Sequence, residues 1–176
     1  LWHQGEADAA TAESAGAYAA NLTALFERHR GVVSNYFPEA QAAIVLGTML
    51  PGAIVDNSTG FYDDIDAIHQ DISNLIAVAD FADLSAITGR AGLHFLADGY
   101  QTAGEIYYQK WLELTSTAIG TPNAWLDRNG LVTGGDYGAA DLFDSDFDGL
   151  MNWQEYRCGT SPTNRASVLK INSIST

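Results

Sequence analysis

Residues 42–50 read A-A-I-V-L-G-T-M-L and are stopped by Pro51-Gly52. A short apolar run rich in β-branched residues and bounded by a turn signal has the profile of a strand buried on both faces. Such a strand needs helices above and below it, and the flanking sequence offers them. Residues 12–30 place Tyr18, Leu22, Leu25, Phe26 and His29 on one helical face, with Gly31 suited to the C′ position that ends the helix. Residues 62–79 carry a second stripe, Ile65, Ile68, Ile72, Leu75, Ile76 and Ala79, behind an acidic first turn of Asp63, Asp64 and Asp66 that the helix dipole favours. Residues 83–88 read as a brief strand ended by Gly89, 89–96 as a loop holding His94, and 99–117 as a third helix capped by Asp98, with Ala103, Ile106, Tyr107, Trp111 and Leu114 inward. Strands alternating with helices imply an α/β fold with a parallel sheet wrapped on both faces.

Two strands are few for a free-standing sheet of this kind, and the expectation is a partial fold whose N-terminal strands belong to an upstream part of the same polypeptide. Composition shifts after residue 117 toward Gly, Thr and Asn, with one helical stretch near Asn123–Asp127. The boundary is placed near Gly120, giving an α/β portion over 1–119 and a linker and tail over 120–176.

The 176 residues carry 8 Lys and Arg against 22 Asp and Glu, a net charge of −14. That field repels nucleic acid and anionic membrane surfaces, and no apolar run is long enough to span a bilayer. A single cysteine, Cys158, excludes an internal disulfide and a cysteine-rich zinc site.

Residues 144–155 read D-S-D-F-D-G-L-M-N-W-Q-E, the spacing of an EF-hand calcium loop. Asp144, Asp146 and Asp148 occupy positions 1, 3 and 5. Gly149 permits the sharp turn, Leu150 offers its carbonyl, Asn152 sits at position 9, and Glu155 at position 12 is the bidentate ligand. Three aspartates so close repel one another until a hard divalent cation reverses the sign. A single loop with two methionines in the chain favours structural Ca2+ over a sensor, and Trp153 and Tyr156 are expected to pack the exiting helix.

The segment 153–171 resembles the calcium-binding tails of secreted bacterial proteins, akin to thrombospondin type 3 and dockerin loops, with Ser161 where those tails often carry Asp. Residues 2–9 (W-H-Q-G-E-A-D-A) and 92–104 (G-L-H-F-L-A-D-G-Y-Q-T-A-G), in that order around the alternating elements, resemble the sialate O-acetylesterase-like carbohydrate esterases, a branch of the SGNH hydrolases. The resemblance implies a flavodoxin-like three-layer fold and hydrolysis of O-acetyl esters on carbohydrates of the sialic acid or xylan type. It also implies a Ser-His-acid arrangement, in which a serine needs an imidazole to take its proton and a carboxylate to orient that imidazole.

His94 matches the family's base, Glu6 the carboxylate, and Gln4 and Gly5 the pocket near the oxyanion. Ala91 stands where a loop Asp is common, and the family's Gly-x-Ser block has no counterpart after a strand here, so the nucleophile is expected upstream. Ser58 reads as a turn residue, His3 as support beneath the pocket, His29 as a residue near a helix end and His69 as a boundary residue. Tyr107, Tyr108 and Trp111 can be read as core or as a sugar platform, and their helical spacing favours core. Secretion, or a periplasmic or cell-surface location, follows from the resemblance and from extracellular calcium. A non-catalytic, calcium-dependent binding or anchoring module is the alternative.

Overall fold

A computed structural model describes residues 1–36, 42–49, 61–91 and 94–169. The expected turn at Pro51-Gly52, the loop holding Ser58, Gly92-Leu93 and the last residues of the tail lie outside them. The chain separates into two compact units, Leu1–Leu114 and Thr115–Thr176. Among the described residues no helix is long and apolar enough to cross a membrane.

The first unit is a mixed α/β structure with small sheets. Helix α1 (Ala12–Ser34) starts at Thr11, whose hydroxyl accepts the Ser14 amide at 3.1 Å. It buries Ala15, Tyr18, Leu22 and Phe26, whereas Leu25 is 40% exposed and His29 is exposed. Gly31 does not end the helix. Val32, Val33 and Ser34 complete another turn, and Asn35 caps it through its amide. A glycine in an exposed helical turn costs only about 1 kcal/mol against Ala, which the packing of the helix offsets.

Strand β1 (Ile44–Gly47) is buried at every position, as the apolar run demanded. Helix α2 (Tyr62–Gln70) stops at Asp71, and a single further turn, α3 (Ile72–Leu75), follows. The expected helix over 62–79 is therefore broken: Ile76 is extended, Val78 has φ +50°, and Ala79 opens strand β2 (Ala79–Ala82). The strand expected at 83–88 lies four residues earlier because the main chain at 79–82 pairs in parallel with β1, from Ile44↔Ala79 to Gly47↔Ala82. Ile76 and Ala79 are still buried, so their spacing reported burial correctly and helicity wrongly. Residues 83–88 instead turn, with the Ser85 amide on Asp83 and the Leu84 amide on Thr48 Oγ1 at 2.7 Å. Trp2 extends the sheet by a parallel bridge to Leu46 on the other side of β1.

The two faces of β1 feed two clusters. Ile44 and Leu46 pack with Tyr18, Leu22, Phe26, Ile65 and Ile72. Val45 packs with Ala82, Leu84, Ile87, Ala103 and Tyr107.

The segment expected as a loop forms a minimal hairpin, β3 (Arg90–Ala91) antiparallel to β4 (His94–Phe95). Helix α4 (Ala97–Thr115) follows. Asp98 lies inside its first turn rather than capping it, and its carboxylate accepts the Gly99 amide. Ala103 and Tyr107 are buried as expected, but Trp111 is 41% exposed and Tyr108 is 56% exposed, so neither belongs to the core.

Among its described residues the second unit has three short helices, α5 (Asn123–Arg128), α6 (Tyr137–Asp141) and α7 (Asn152–Cys158), the last ended by Gly159 in the left-handed conformation. Tyr156 packs edge-on against Trp125 at 5.3 Å. Asp141 is buried and accepts the Thr117 hydroxyl at 2.6 Å.

Candidate functional site

The loop at residues 2–8, β4 and α4 line an open cavity of about 670 Å³. Gln4, Gly5, Glu6 and Asp8 line it from the loop, and His94 and Phe95 from the hairpin. Glu6 is half-buried and His94 exposed. The fold thus brings the sequence-predicted carboxylate, imidazole and pocket residues to one cavity. Among the described residues, no hydrogen bond or ion pair joins Glu6 directly to His94.

Gly5 has φ +145°, and a Cβ there would meet Ile65 Cγ2 at 2.7 Å and Tyr18 Oη at 3.3 Å. Only glycine takes that turn without strain. The preceding peptide is held from below. The Tyr18 hydroxyl lies 3.0 Å from the Gln4 carbonyl oxygen and 2.7 Å from His69 Nε2, and Trp2 Nε1–H donates to it at 3.3 Å. His69 Nδ1 lies 2.8 Å from the Gly47 carbonyl oxygen. A carbonyl only accepts, so Nδ1 carries the proton and Nε2 is left to accept from Tyr18. One hydroxyl proton thus serves two acceptors. Burial pushes the Tyr18 phenol up to about 12, so it stays a donor at neutral pH.

His69 is fully buried, not at a boundary. The signal was present in the sequence, because His69 sits four residues after Ile65 and three before Ile72, within the apolar stripe. On the opposite side Tyr107 donates to the Trp2 carbonyl at 3.1 Å and lies 3.2 Å from His3 Nδ1, while Phe95 packs against the His3 ring at 5.4 Å. His3, Tyr18, His69 and Tyr107 together brace the loop that carries Glu6.

Burial lowers the pKa of both His69 and His3; the Gly47 carbonyl and Asp66 act upward on His69, and Glu6 acts upward on His3, without overcoming it. A histidine kept neutral in the fold binds its proton more readily when unfolded. Its contribution to stability is therefore complete above about pH 6.5 and is lost as pH falls through the lowered folded value. The thermal midpoint of the first unit is expected to fall between pH 7 and pH 5, with a shallower fall in His69→Gln. Scanning calorimetry across that window checks this, and an identical slope in the variant would contradict it.

In the second unit, Asp144, Asp146 and Asp148 each offer a carboxylate oxygen within 4.8 Å of the others. The loop folds onto its own acids, with the Gly149 amide on Asp144 at 2.9 Å, the Asp148 amide on Asp144 and Asp146 at 3.2 Å, and the Leu150 amide on Asp148 at 2.9 Å. Gly149 has φ +100°, as the turn requires. Glu155 is fully buried, yet neither carboxylate oxygen has a hydrogen-bond partner. Asp146 Oδ2, Asp148 Oδ2 and Asn152 Oδ1 are likewise buried and unpaired. Asn152 is held in place by Nδ2, which donates to Ala140 O and Ser145 Oγ and leaves the oxygen end free. Burial, then Asp146 and its neighbours, pushes the Glu155 carboxyl up to about 7. Buried, unpaired carboxylate oxygens are costly unless a cation meets them, so this donor set fits a hard divalent ion.

The first unit is therefore an α/β structure whose cavity is lined by both Glu6 and His94. The family model described as carbohydrate esterase, sialic acid-specific acetylesterase, matches residues 1–113, and the chain belongs to that family. The match spans the first unit up to its last turn and does not include the acidic loop. No curated protein and no solved structure matches the chain.

Proposed function

We propose that the first unit carries the acid–base half of a carbohydrate O-acetylesterase acting on O-acetyl esters of the sialic acid or xylan type. The observation that carries this reading is the shared cavity, to which Glu6 and His94 come from opposite ends of the unit. In the proposed mechanism a serine hydroxyl attacks the acetyl carbonyl while His94 takes its proton. His94 then returns that proton to the departing sugar oxygen. Water, deprotonated by the same imidazole, releases acetate and restores the serine. Glu6 orients the imidazole and stabilises its charged form. With Ala91 at the position where the family commonly has Asp, Glu6 is the carboxylate assigned to that task. A contact that is loose in the free protein can tighten on binding substrate. Gln4 and the Gly5 amide are assigned to the oxyanion.

The nucleophile is assigned to sequence preceding Leu1, within a flavodoxin-like three-layer SGNH fold whose layering the two clusters astride β1 support. The test joins residues 1–176 to their preceding sequence and follows acetate release from O-acetylated oligosaccharides, with a serine-directed phosphonate as label. Acetate release and labelling of a serine outside 1–176 are expected. Labelling of Ser58 would refute the assigned nucleophile, and no acetate would favour the non-catalytic, calcium-dependent module.

The second unit is proposed to hold one structural Ca2+ in an EF-hand-like loop, through Asp144, Asp146 and Asp148, the Leu150 carbonyl, Asn152 and Glu155. The ion would neutralise the acids and fix the loop. The unpaired oxygens of Glu155 support this most strongly. A secreted or cell-surface location fits such a site, because extracellular calcium modules work at 10⁻⁴–10⁻³ M, roughly. Calcium at one hundred times its Kd is expected to stabilise the second unit by about 2.7 kcal/mol. Calorimetric titration should show heat that Asp146→Ala abolishes, and the absence of heat in the unaltered chain would refute the site.

A further inference from the structure

Helix α4 displays Tyr100, Gly104, Tyr108 and Trp111 at spacings of four, four and three, which keeps them on one strip of the helix. Tyr100 is 60% exposed, Tyr108 56% and Trp111 41%. The Tyr108 and Trp111 rings lie nearly parallel, at 19° with centroids 6.2 Å apart. Tyr100 is braced edge-on against Phe95 at 5.6 Å. Gly104 has nothing within 4 Å of where a Cβ would stand, so the strip is flat and open between the aromatics. Tyr100 and Gly104 also line the cavity that holds Glu6 and His94. The strip therefore begins at the candidate active site and runs away from it for about 16 Å at about 1.5 Å per residue.

We propose that this strip is a binding track for a neutral, extended oligosaccharide whose acetylated unit occupies the cavity. The proposal rests on the reading that the cavity takes a sugar ester, and it adds where the rest of the chain lies. A pyranose ring presents a face of C–H groups and keeps its hydroxyls at the rim. The electron-rich face of an aromatic ring attracts those C–H groups and covers apolar area without stripping water from the hydroxyls. Tyr and Trp do this at low entropic cost because few torsions are fixed. A net charge of −14 disfavours a polyanionic glycan, so the occupant is neutral along its length.

The test uses the chain as it stands, titrated calorimetrically with partially O-acetylated xylohexaose and with the corresponding xylobiose. The hexaose is expected to bind about tenfold more tightly than the biose. The double variant Tyr108→Ala/Trp111→Ala should bring the hexaose to the affinity of the biose and leave the biose unchanged. Tyr108→Phe/Trp111→Phe should keep most of the difference. Far-UV circular dichroism checks that each variant is folded. Equal binding of both sugars, or a double alanine variant that behaves as the unaltered chain, would overturn the track while leaving the cavity reading in place. Failure of both sugars to bind would overturn the track and the cavity reading together.

Discussion

Alanine at His94 is expected to lower acetate release by about 10²–10⁴-fold in the polypeptide that includes the preceding sequence, with KM little changed. The expectation comes from where the residue sits. His94 is exposed on a two-residue strand whose pairing, Ala91↔His94 and Arg90↔Phe95, is made by the backbone. Arg90 secures that hairpin independently, donating to Ile87 O and Leu84 O and covering the Phe95 ring at 4.7 Å. Truncating the imidazole therefore removes a proton acceptor from the cavity and leaves the scaffold alone. Glu6→Gln should cost a comparable factor, because glutamine keeps the shape and loses the charge that stabilises an imidazolium. Steady-state kinetics checks both, and activity within a fewfold of the unaltered protein would remove these residues from the mechanism.

The second large effect is structural. A Cβ on Gly47 would collide with Tyr107 Oη, and would also stand 2.5 Å from His3 Nδ1 and 2.7 Å from Leu84 Cδ1. The strand cannot move to relieve this, because the Gly47 amide donates to Trp2 O at 2.9 Å, its carbonyl faces His69 Nδ1, and the same residue pairs with Ala82. Gly47→Ala is expected to destabilise the first unit by about 3 kcal/mol, the upper part of the range for overpacked cores. Gly16→Ala is the control. A Cβ there meets nothing within 4 Å in the second turn of α1, so it should stabilise by about 0.5–1 kcal/mol. Urea unfolding followed by aromatic circular dichroism compares them, and a Gly47→Ala midpoint equal to that of the unaltered protein would show that the strand has room to shift.

Much of this architecture was legible in residue order, for a physical reason. The run at 42–50 could satisfy its side chains only as a doubly covered strand, and it does so over Ile44–Gly47. Ala103 and Tyr107 were likewise recognisable from the period of α4. The spacing Ile72, Ile76, Ala79 misled because burial on a helix and burial around a strand can share the same intervals. What decided between them was pairing with Ile44–Gly47, a long-range term that no local period contains. Tyr108 and Trp111 failed the same way in reverse, since aromatic residues at helical spacing usually face inward and here face solvent. At the candidate site, Glu6 and His94 were visible through their motifs, and the structure adds a common cavity. The Tyr18–His69–Gly47 brace was not visible, because it joins three elements through two hydrogen bonds that leave no pattern in any one of them. The acidic loop was readable because its polar residues recur at fixed short spacings within twelve positions, and the buried, unpaired Glu155 carboxylate is what the fold contributes.

The most direct test of the esterase account is a double-mutant cycle on kcat with Glu6→Gln, His94→Ala and the pair. Groups that handle one proton as a unit lose their effects together, so the double variant is expected to be about as slow as His94→Ala alone. A double variant slowed by the product of the two single factors would mean that the carboxylate and the imidazole act separately, and the account would be wrong.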